Sequence, residues 1–187
     1  MQISSGLRWF IVCVAVCTVL SADSALAQST TWDGDTSTSW GNASNWTAGV
    51  PNAVTDAVIS SGTPFKPTTQ SVTAECRNLT LNSGAELTIA PFFDLGVNGS
   101  ATLNGTIKDA TATPGSGTIS FKGVSAATLA GTTVLPILRI EKGVGGSLVI
   151  NSGTVTVGTG FIHVSGGLAV NSTVVVTPPA SFSGGTL

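Results

Sequence analysis

The chain has no tyrosine, a single methionine, and few charges: seven Lys or Arg against nine Asp or Glu in 187 residues, a formal net charge of −2. No basic cluster occurs anywhere along it. Nucleic acid and anionic membranes are gripped by cationic patches, so neither is an expected partner. Cysteine is equally scarce. Cys13 and Cys17 fall in the N-terminal apolar segment and Cys76 stands alone in the remainder, which excludes a disulfide framework. Cys76 reads instead as a small buried apolar residue. Runs of Ala, Leu, Glu and Lys, which long helices need, are also missing after residue 27. What is abundant is Gly, with 23 residues, together with regularly spaced Val, Leu, Ile and Thr. That composition suits short strands and tight turns, and it argues against disorder despite the low charge.

The first 27 residues have the three-part layout of a secretory signal. Arg8 precedes an apolar run from Trp9 to Leu20 that contains Ile11, Val12, Val14, Val16 and Val19. A short polar stretch and Ala25-Leu26-Ala27 follow, with small residues where a signal peptidase accepts little else. The run is well short of the roughly 20 residues that span a bilayer as a helix. Later segments are not apolar enough to cross a membrane. Export and cleavage after Ala27 are therefore expected, giving a secreted or cell-surface location. Residues 28–187 are about the size of one domain and long enough to bury a core.

Three zones follow the leader. Residues 28–70 carry Trp32, Trp40 and Trp46 and a weak strand signal, and read as a cap. Residues 71–176 are a train of short strands, and 177–187 read as a terminal loop or a truncated end. The middle zone alternates strands of three or four residues with Gly/Asn/Ser turns. From Leu148 it runs Leu-Val-Ile, Asn-Ser-Gly, Thr-Val-Thr-Val, Gly-Thr-Gly, Phe-Ile-His-Val, Ser-Gly-Gly, Leu-Ala-Val, Asn-Ser, Thr-Val-Val-Val. Val157, Val164, Val170 and Val176 end successive strands at steps of seven, six and six. Hairpins prefer longer strands and two-residue mirror-type turns. A near-constant short step fits a coil whose corners each turn about a third of a circle, with Gly and Asn taking left-handed conformations at the corners. The expected fold is all-β, a short parallel β-solenoid with a Trp-rich N-terminal cap; the alternative is a β-sandwich. Alternation points Leu87, Ile89, Leu138 and Ile140 inward, and leaves Arg139 and Glu141 free to pair outside.

Several residues are candidates for chemistry. Trp32, Trp40 and Trp46 offer indoles on which sugar rings stack; the same residues could equally close the open end of a solenoid. Asp33, Asp35 and Asp56, with Asn42 and Asn45, supply hard oxygens of the kind Ca²⁺ takes, although the helix-loop-helix calcium pattern is missing and such residues also make turns. Calcium is the one cofactor in view; otherwise none is expected. His163 is the sole histidine, and alternation between Ile162 and Val164 places it toward solvent, with no triad or metal set around it. Glu75, Glu86, Asp94, Asp109 and Glu141 are scattered, which does not favour a polysaccharide lyase or hydrolase.

Trp32-Asp33-Gly34-Asp35, Trp40-Gly41-Asn42-Ala43-Ser44-Asn45-Trp46, Gly49-Val50-Pro51 and Asp56-Ala57-Val58-Ile59 form an opening pattern. Two later steps continue it, Cys76-Arg77-Asn78-Leu79-Thr80-Leu81-Asn82-Ser83-Gly84-Ala85 and Gly117-Thr118-Ile119-Ser120-Phe121-Lys122-Gly123. Together they resemble secreted bacterial β-solenoid surface proteins of the autotransporter-passenger or adhesin kind. The Trp opening is the more specific part. The resemblance implies an extracellular β-solenoid region within a larger surface protein. The sequence departs from that kind in showing no recognisable outer-membrane barrel or C-terminal sorting segment.

The expected function is thus a secreted or cell-surface structural or adhesive β-repeat module without catalytic activity, meeting extracellular glycans or another surface protein. The alternative is a carbohydrate-binding domain using exposed Trp residues; a polysaccharide lyase or hydrolase ranks below both. When the gene is expressed in a bacterial host, mass spectrometry of the exported protein should find Gln28 at its N-terminus. A product that keeps Met1–Ala27 would contradict the leader.

Overall fold

The computed structural model describes residues 28–70, 74–109, 117–177 and 180–182. The expected leader, 1–27, lies outside the described residues. β1 (Gln28–Trp32) precedes a series of coils. β2 (Thr55–Ile59), β3 (Thr68–Thr69) and β4 (Glu75–Cys76) make the first, and β5 (Leu79–Leu81), β6 (Glu86–Ile89) and β7 (Asp94–Val97) the second. β8 (Ala101–Leu103), β9 (Thr106–Asp109) and β10 (Thr118–Phe121) follow. β11 (Ala127–Ala130) then leads into the long β12 (Thr133–Glu141), and β13 (Ser147–Ser152) into β14 (Thr154–Ser165). β15 (Gly167–Val170), β16 (Thr173–Val176) and β17 (Ala180–Phe182) complete the series. The result is an all-β parallel β-solenoid of about five turns, as the short strand step predicted, rather than a sandwich.

Each coil has three sides. The first side is a seven-stranded sheet in the order β1-β2-β5-β8-β11-β13-β15. The second begins as β3-β6-β9, and the third runs β4-β7-β10-β12-β14. Strands of neighbouring coils pair in parallel, so Ala57 sits beside Leu79, and Leu79 beside Ala101. In-register pairing stacks like on like. One inward column reads Ala57, Leu79, Ala101, Leu129 and Ile150, and another Trp32, Ile59, Leu81 and Leu103. On the third side Leu95, Ile119, Leu138 and Phe161 stack in the same way. All of these are buried, and together they form one continuous core along the axis. Burial of such side chains is the main favourable term in folding.

Three boundaries differ from the sequence reading. The 28–70 stretch is not only a cap, because β1 and β2 already belong to the stacked first side. The strand signal there is diluted by the long Trp- and Pro-containing excursion between them. The 177–187 stretch contributes a strand, Ala180–Phe182, which pairs in parallel with Phe161–His163. Finally, Gly158-Thr159-Gly160 does not end a strand: β14 runs through it as one 12-residue element. There, and opposite at Pro136, the register shifts and the chain bends from second to third side without leaving the ladder. Pro lacks an N–H, and such a bulge is where a sheet tolerates it.

The same strand corrects His163. It is buried, in register beside Ile140, while Ile162 and Val164 lie on the outer face. Phe161, Ile162 and Val164 are all apolar, so local alternation could not decide which parity faces in. The parity is carried over from Val155 and Val157, both inward. The His163 ring satisfies its Nε2 with the Gly166 carbonyl at 3.0 Å.

Truncation of an inward residue should cost far more than truncation of its outward neighbour. Leu103→Ala is expected to lower unfolding free energy by about 3 kcal/mol. Thr102→Ala should change it by less than about 0.5 kcal/mol in the same denaturant titration.

Candidate functional site

The opening motif residues were the leading candidates for a site, and each proves to have a local structural task. Trp32 ends β1, and its inward parity carries the indole into the core. The chain then leaves the coil, turns at Asn42 and passes through a 3-10 turn, Ala43–Asn45, before Trp46 returns antiparallel against Trp32. The Asn42 side chain caps that turn by accepting from the Ser44 N–H at 3.0 Å. Trp46 meets Trp32 edge to face, with centroids 5.1 Å apart, and Trp40 likewise at 4.8 Å. Rings at such distances attract through their quadrupoles as well as through buried area. The indole N–H of Trp32 donates to the Phe65 carbonyl and that of Trp46 to the Trp40 carbonyl, both at 2.8 Å.

Gly34 follows from this geometry. Its φ is +60°, and a Cβ there would sit 2.4 Å from the Phe65 oxygen and 2.5 Å from Trp32 Nε1. Only glycine lets the Trp32 hydrogen bond form. Asn45 is wholly buried and uses both ends of its amide. Its oxygen accepts from the N–H groups of Thr36 and Ser37 at 3.0 and 2.9 Å. Its nitrogen donates to Ser37 Oγ and the Ser39 carbonyl, each at 3.0 Å. Asn45 thereby holds the whole 36–39 loop over the Trp cluster.

These contacts leave the tryptophans buried. Trp32 and Trp40 are each 1% exposed and Trp46 4%. A sugar stacks on an open ring face, and none of the three presents one. The expectation of an exposed aromatic platform is corrected by this packing: the edges and faces of the rings are spent on one another and on the coil beneath. They plug the N-terminal end of the solenoid.

The candidate calcium ligands are dispersed. Asp35 is exposed in the opening loop and Asp33 half-buried beside it, whereas Asp56 lies on the outer face of β2. Asp56 is committed to Arg77, which donates from Nε at 2.7 Å and Nη2 at 2.6 Å, and it also accepts from the backbone and side chain of Asn78. Among the described residues no group of three or more His, Cys, Asp or Glu is placed to hold a metal. Three further acids have cationic neighbours: Glu86 with Lys108, Asp94 with Lys122, and Glu141 with Arg139. The last is the pair expected from strand alternation. Cys76 is fully buried, and burial pushes its thiol far above the ordinary range.

Two features were missed by sequence reading. The first is a ladder of short polar side chains along the corner between third and first sides. Asp56 accepts from the Asn78 N–H at 3.2 Å, Asn78 from the Ser100 N–H at 2.7 Å, and Ser100 from the Thr128 N–H at 3.0 Å. Each side chain thus satisfies a corner amide of the next coil, one step of 22 residues along for the first two. Its signal was present as Asp, Asn and Ser immediately before successive inward residues Ala57, Leu79 and Ala101. The second is Lys142. It follows inward Ile140 by two positions, which sends its side chain inward too. Its ammonium donates to the Lys122 carbonyl of the preceding coil and to the Asn98 carbonyl, 3.5 Å away and one coil further back. Ser165 of the following coil donates to the Lys142 carbonyl at 2.8 Å. Burial holds the Lys142 amine below its ordinary pKa.

The sequence model of a family described as "Domain of unknown function (DUF8693)" matches residues 31–111, the span from the Trp plug through β9. Over that span the chain is similar to the family. No curated protein and no solved structure matches the chain.

The Asp56 interaction has a pH signature. The Arg77 guanidinium, joined by Asn78, holds the Asp56 carboxyl below its usual value of 3.8. A depressed folded-state pKa adds stability that is present above the unfolded value and is lost as pH falls through the folded one. Because both side chains are partly open to solvent, the contribution is about 1 kcal/mol. Asp56→Asn should therefore be less stable than the parent at pH 7, and the gap should close as pH falls below 3.8. A gap unchanged down to pH 2, seen by thermal unfolding, would contradict the assignment.

Proposed function

We propose that the chain is an exported structural or adhesive β-solenoid module of a bacterial cell surface, of the autotransporter-passenger or adhesin kind. The observation that carries this reading is the packing of the opening motif. Trp32, Trp40, Trp46, Gly34, Asn45, Asp56 and Asn78 are occupied in plugging and lacing the coils, which leaves the outer faces as the surface for contact. The first side shows two outward rows without charge, Val58, Thr80 and Thr102 in one and Thr128, Val149 and Ala169 in the next. Such a face touches a partner over many small contacts rather than gripping a ligand in a cleft. Extracellular glycans or another surface protein are the partners in view. Export rests on the leader of residues 1–27, and the Thr/Ser/Asn-rich exterior suits that location.

Packing weighs against the sugar-binding alternative in its original form, because it required open indoles. The ion pairs of Asp56, Glu86, Asp94 and Glu141 weigh against general acid–base chemistry, which needs a carboxylate free to exchange a proton at the substrate.

Beads carrying residues 28–187 should be retained on glycan-coated or surface-protein-coated plates several-fold above bare beads. Thr80→Lys with Thr102→Lys places charge on the first side without touching the core and should abolish the excess. Retention unaffected by the double substitution, or no retention above bare beads on either coating, would contradict adhesion through this face.

A further inference from the structure

The corner between β6 and β7 keeps an exposed aromatic ring at a cost in backbone geometry. Residues 90–93 form a tight turn closed by the Phe93 N–H on the Ala90 carbonyl at 3.1 Å, with Pro91 second and Phe92 third. Phe92 has φ +65° and is the one non-glycine residue with positive φ among the described residues. The third position of such a turn ordinarily takes Gly or Asn, which tolerate the left-handed region. The ring gains almost no contact within the protein in return, because Phe92 is 94% exposed. Strain kept for a solvent-facing side chain points outward, to something that side chain touches.

Two residues on, the outer face of the third side holds polar atoms that no partner satisfies. Register places Asp94, Thr118 and Ile137 in one outward row and Gly96, Ser120 and Arg139 in the next. Asp94 Oδ1, Ser120 Oγ and Arg139 Nε are each buried without a hydrogen bond. Ser120 is 0% exposed although its parity is outward, between inward Ile119 and Phe121. Arg139 Nε lies 3.1 Å from a Glu141 oxygen, but its N–H is not aimed there. Unpartnered buried polar atoms are rare in folded proteins. Here an acceptor, a hydroxyl and a donor fall together on three adjacent strands. Lys122 crosses this face: its Nζ passes 3.6 Å from where a Gly96 Cβ would stand and lies 3.1 Å from Asp94 Oδ2. The two side chains are 39% and 36% exposed, so the ion pair is weak and opens at little cost.

We propose that Phe92, Asp94, Ser120 and Arg139 form a binding site for a neutral pyranose ring of an extracellular glycan, with Lys122 as its cover. The C–H face of the sugar stacks on Phe92, and its hydroxyls reach the polar trio once Lys122 turns out. A hydroxyl both gives and takes a hydrogen bond, so neighbouring hydroxyls suit a carboxylate oxygen, a serine and a guanidinium N–H together. An anion would be set against Asp94, Glu141 and Glu75, which stands beside Gly96, and a cation against Lys122 and Arg139. A peptide strand docks on a sheet edge, whereas these atoms lie on a sheet face. The inference deepens the glycan reading proposed above and rests on it for the class of partner. Its site is on the third side rather than the first, so the two fail separately.

Amide spectra of the purified chain titrated with maltohexaose, cellohexaose and laminarihexaose test the site. At least one of these should shift Phe92, Gly96 and Ser120 saturably and leave Thr80 and Thr102 in place. Phe92→Gly relaxes the turn, so its melting temperature should equal or exceed the parent's while the affinity falls about tenfold. Ser120→Ala should also weaken binding. No shift with any of the three sugars overturns the proposal, and leaves the trio as a place for enclosed water only. Shifts that survive Phe92→Gly overturn it, as does a lower melting temperature for that variant, which would give the ring a structural task. Shifts with trigalacturonate alone overturn it too, since Lys122 and Arg139 would then be holding an anion. Retention on glycan-coated plates that Thr80→Lys with Thr102→Lys abolishes and Phe92→Gly leaves intact sinks this site and keeps the adhesive reading.

Discussion

Everything in this fold depends on parallel stacking in register, in which each coil lays its inward side chains on those of the coil before. Ala57, Leu79, Ala101, Leu129 and Ile150 make one such column, and Leu95, Ile119, Leu138 and Phe161 another. Because backbone amides pair between coils, the distance between partners in sequence is close to one full turn. The first turns keep a step of 22 residues, as the Asn78 and Ser100 ladder contacts show. A shift of one residue would turn the inward Leu and Ile of these columns outward and the outward Thr beside them inward, so the apolar pattern and the ladder enforce the same register. Corners are the weak points of such a design, since their amides leave the sheets. The Asp56-Asn78-Ser100-Thr128 ladder and the inward Lys142 ammonium answer that need along one corner.

A second constraint follows from the first. A stack can stop only where its last core layer and its last open edge are covered. At the N-terminal end the sequence provides a dedicated device: β1 carries Trp32 into the core, Trp40 and Trp46 close over it, and Asn45 fixes the loop that holds them. Thr47 and Ala48 then occupy the edge of β1. In the last described coil Val170 is 50% exposed and Val174 and Val176 are partly buried.

The class of fold was legible because short strands separated by Gly, Asn and Ser at a steady step leave few other arrangements. The buried faces of β6 and β12 were legible for the same reason, with Leu87 and Ile89, or Leu138 and Ile140, alternating with polar neighbours. His163 was not legible: three apolar neighbours made its parity ambiguous, and only the continuity of β14 through Gly158 and Gly160 determines it. That continuity itself was hidden, since glycine reads equally as a corner or as a bend within a strand. The Trp residues were recognised as the key feature of the opening. Choosing between a sugar platform and an end plug required knowing what lay beside each ring, which depends on contacts such as Trp32 to Phe65 across 33 positions. The polar ladder was overlooked because Asp56, Asn78 and Ser100 look like ordinary turn residues when each is read alone.

The tryptophans, Asn45 and Asp56 are held in the architecture of the coils. All of this rests on coils stacked in parallel. Nuclear Overhauser contacts between backbone protons of successive strands test that most directly. The account predicts that contacts advance together along both strands, Leu79 with Ala101, Thr80 with Thr102 and Leu81 with Leu103. Contacts that advance along one strand while retreating along the other, with close Hα–Hα pairs, would mean antiparallel layers and would contradict it.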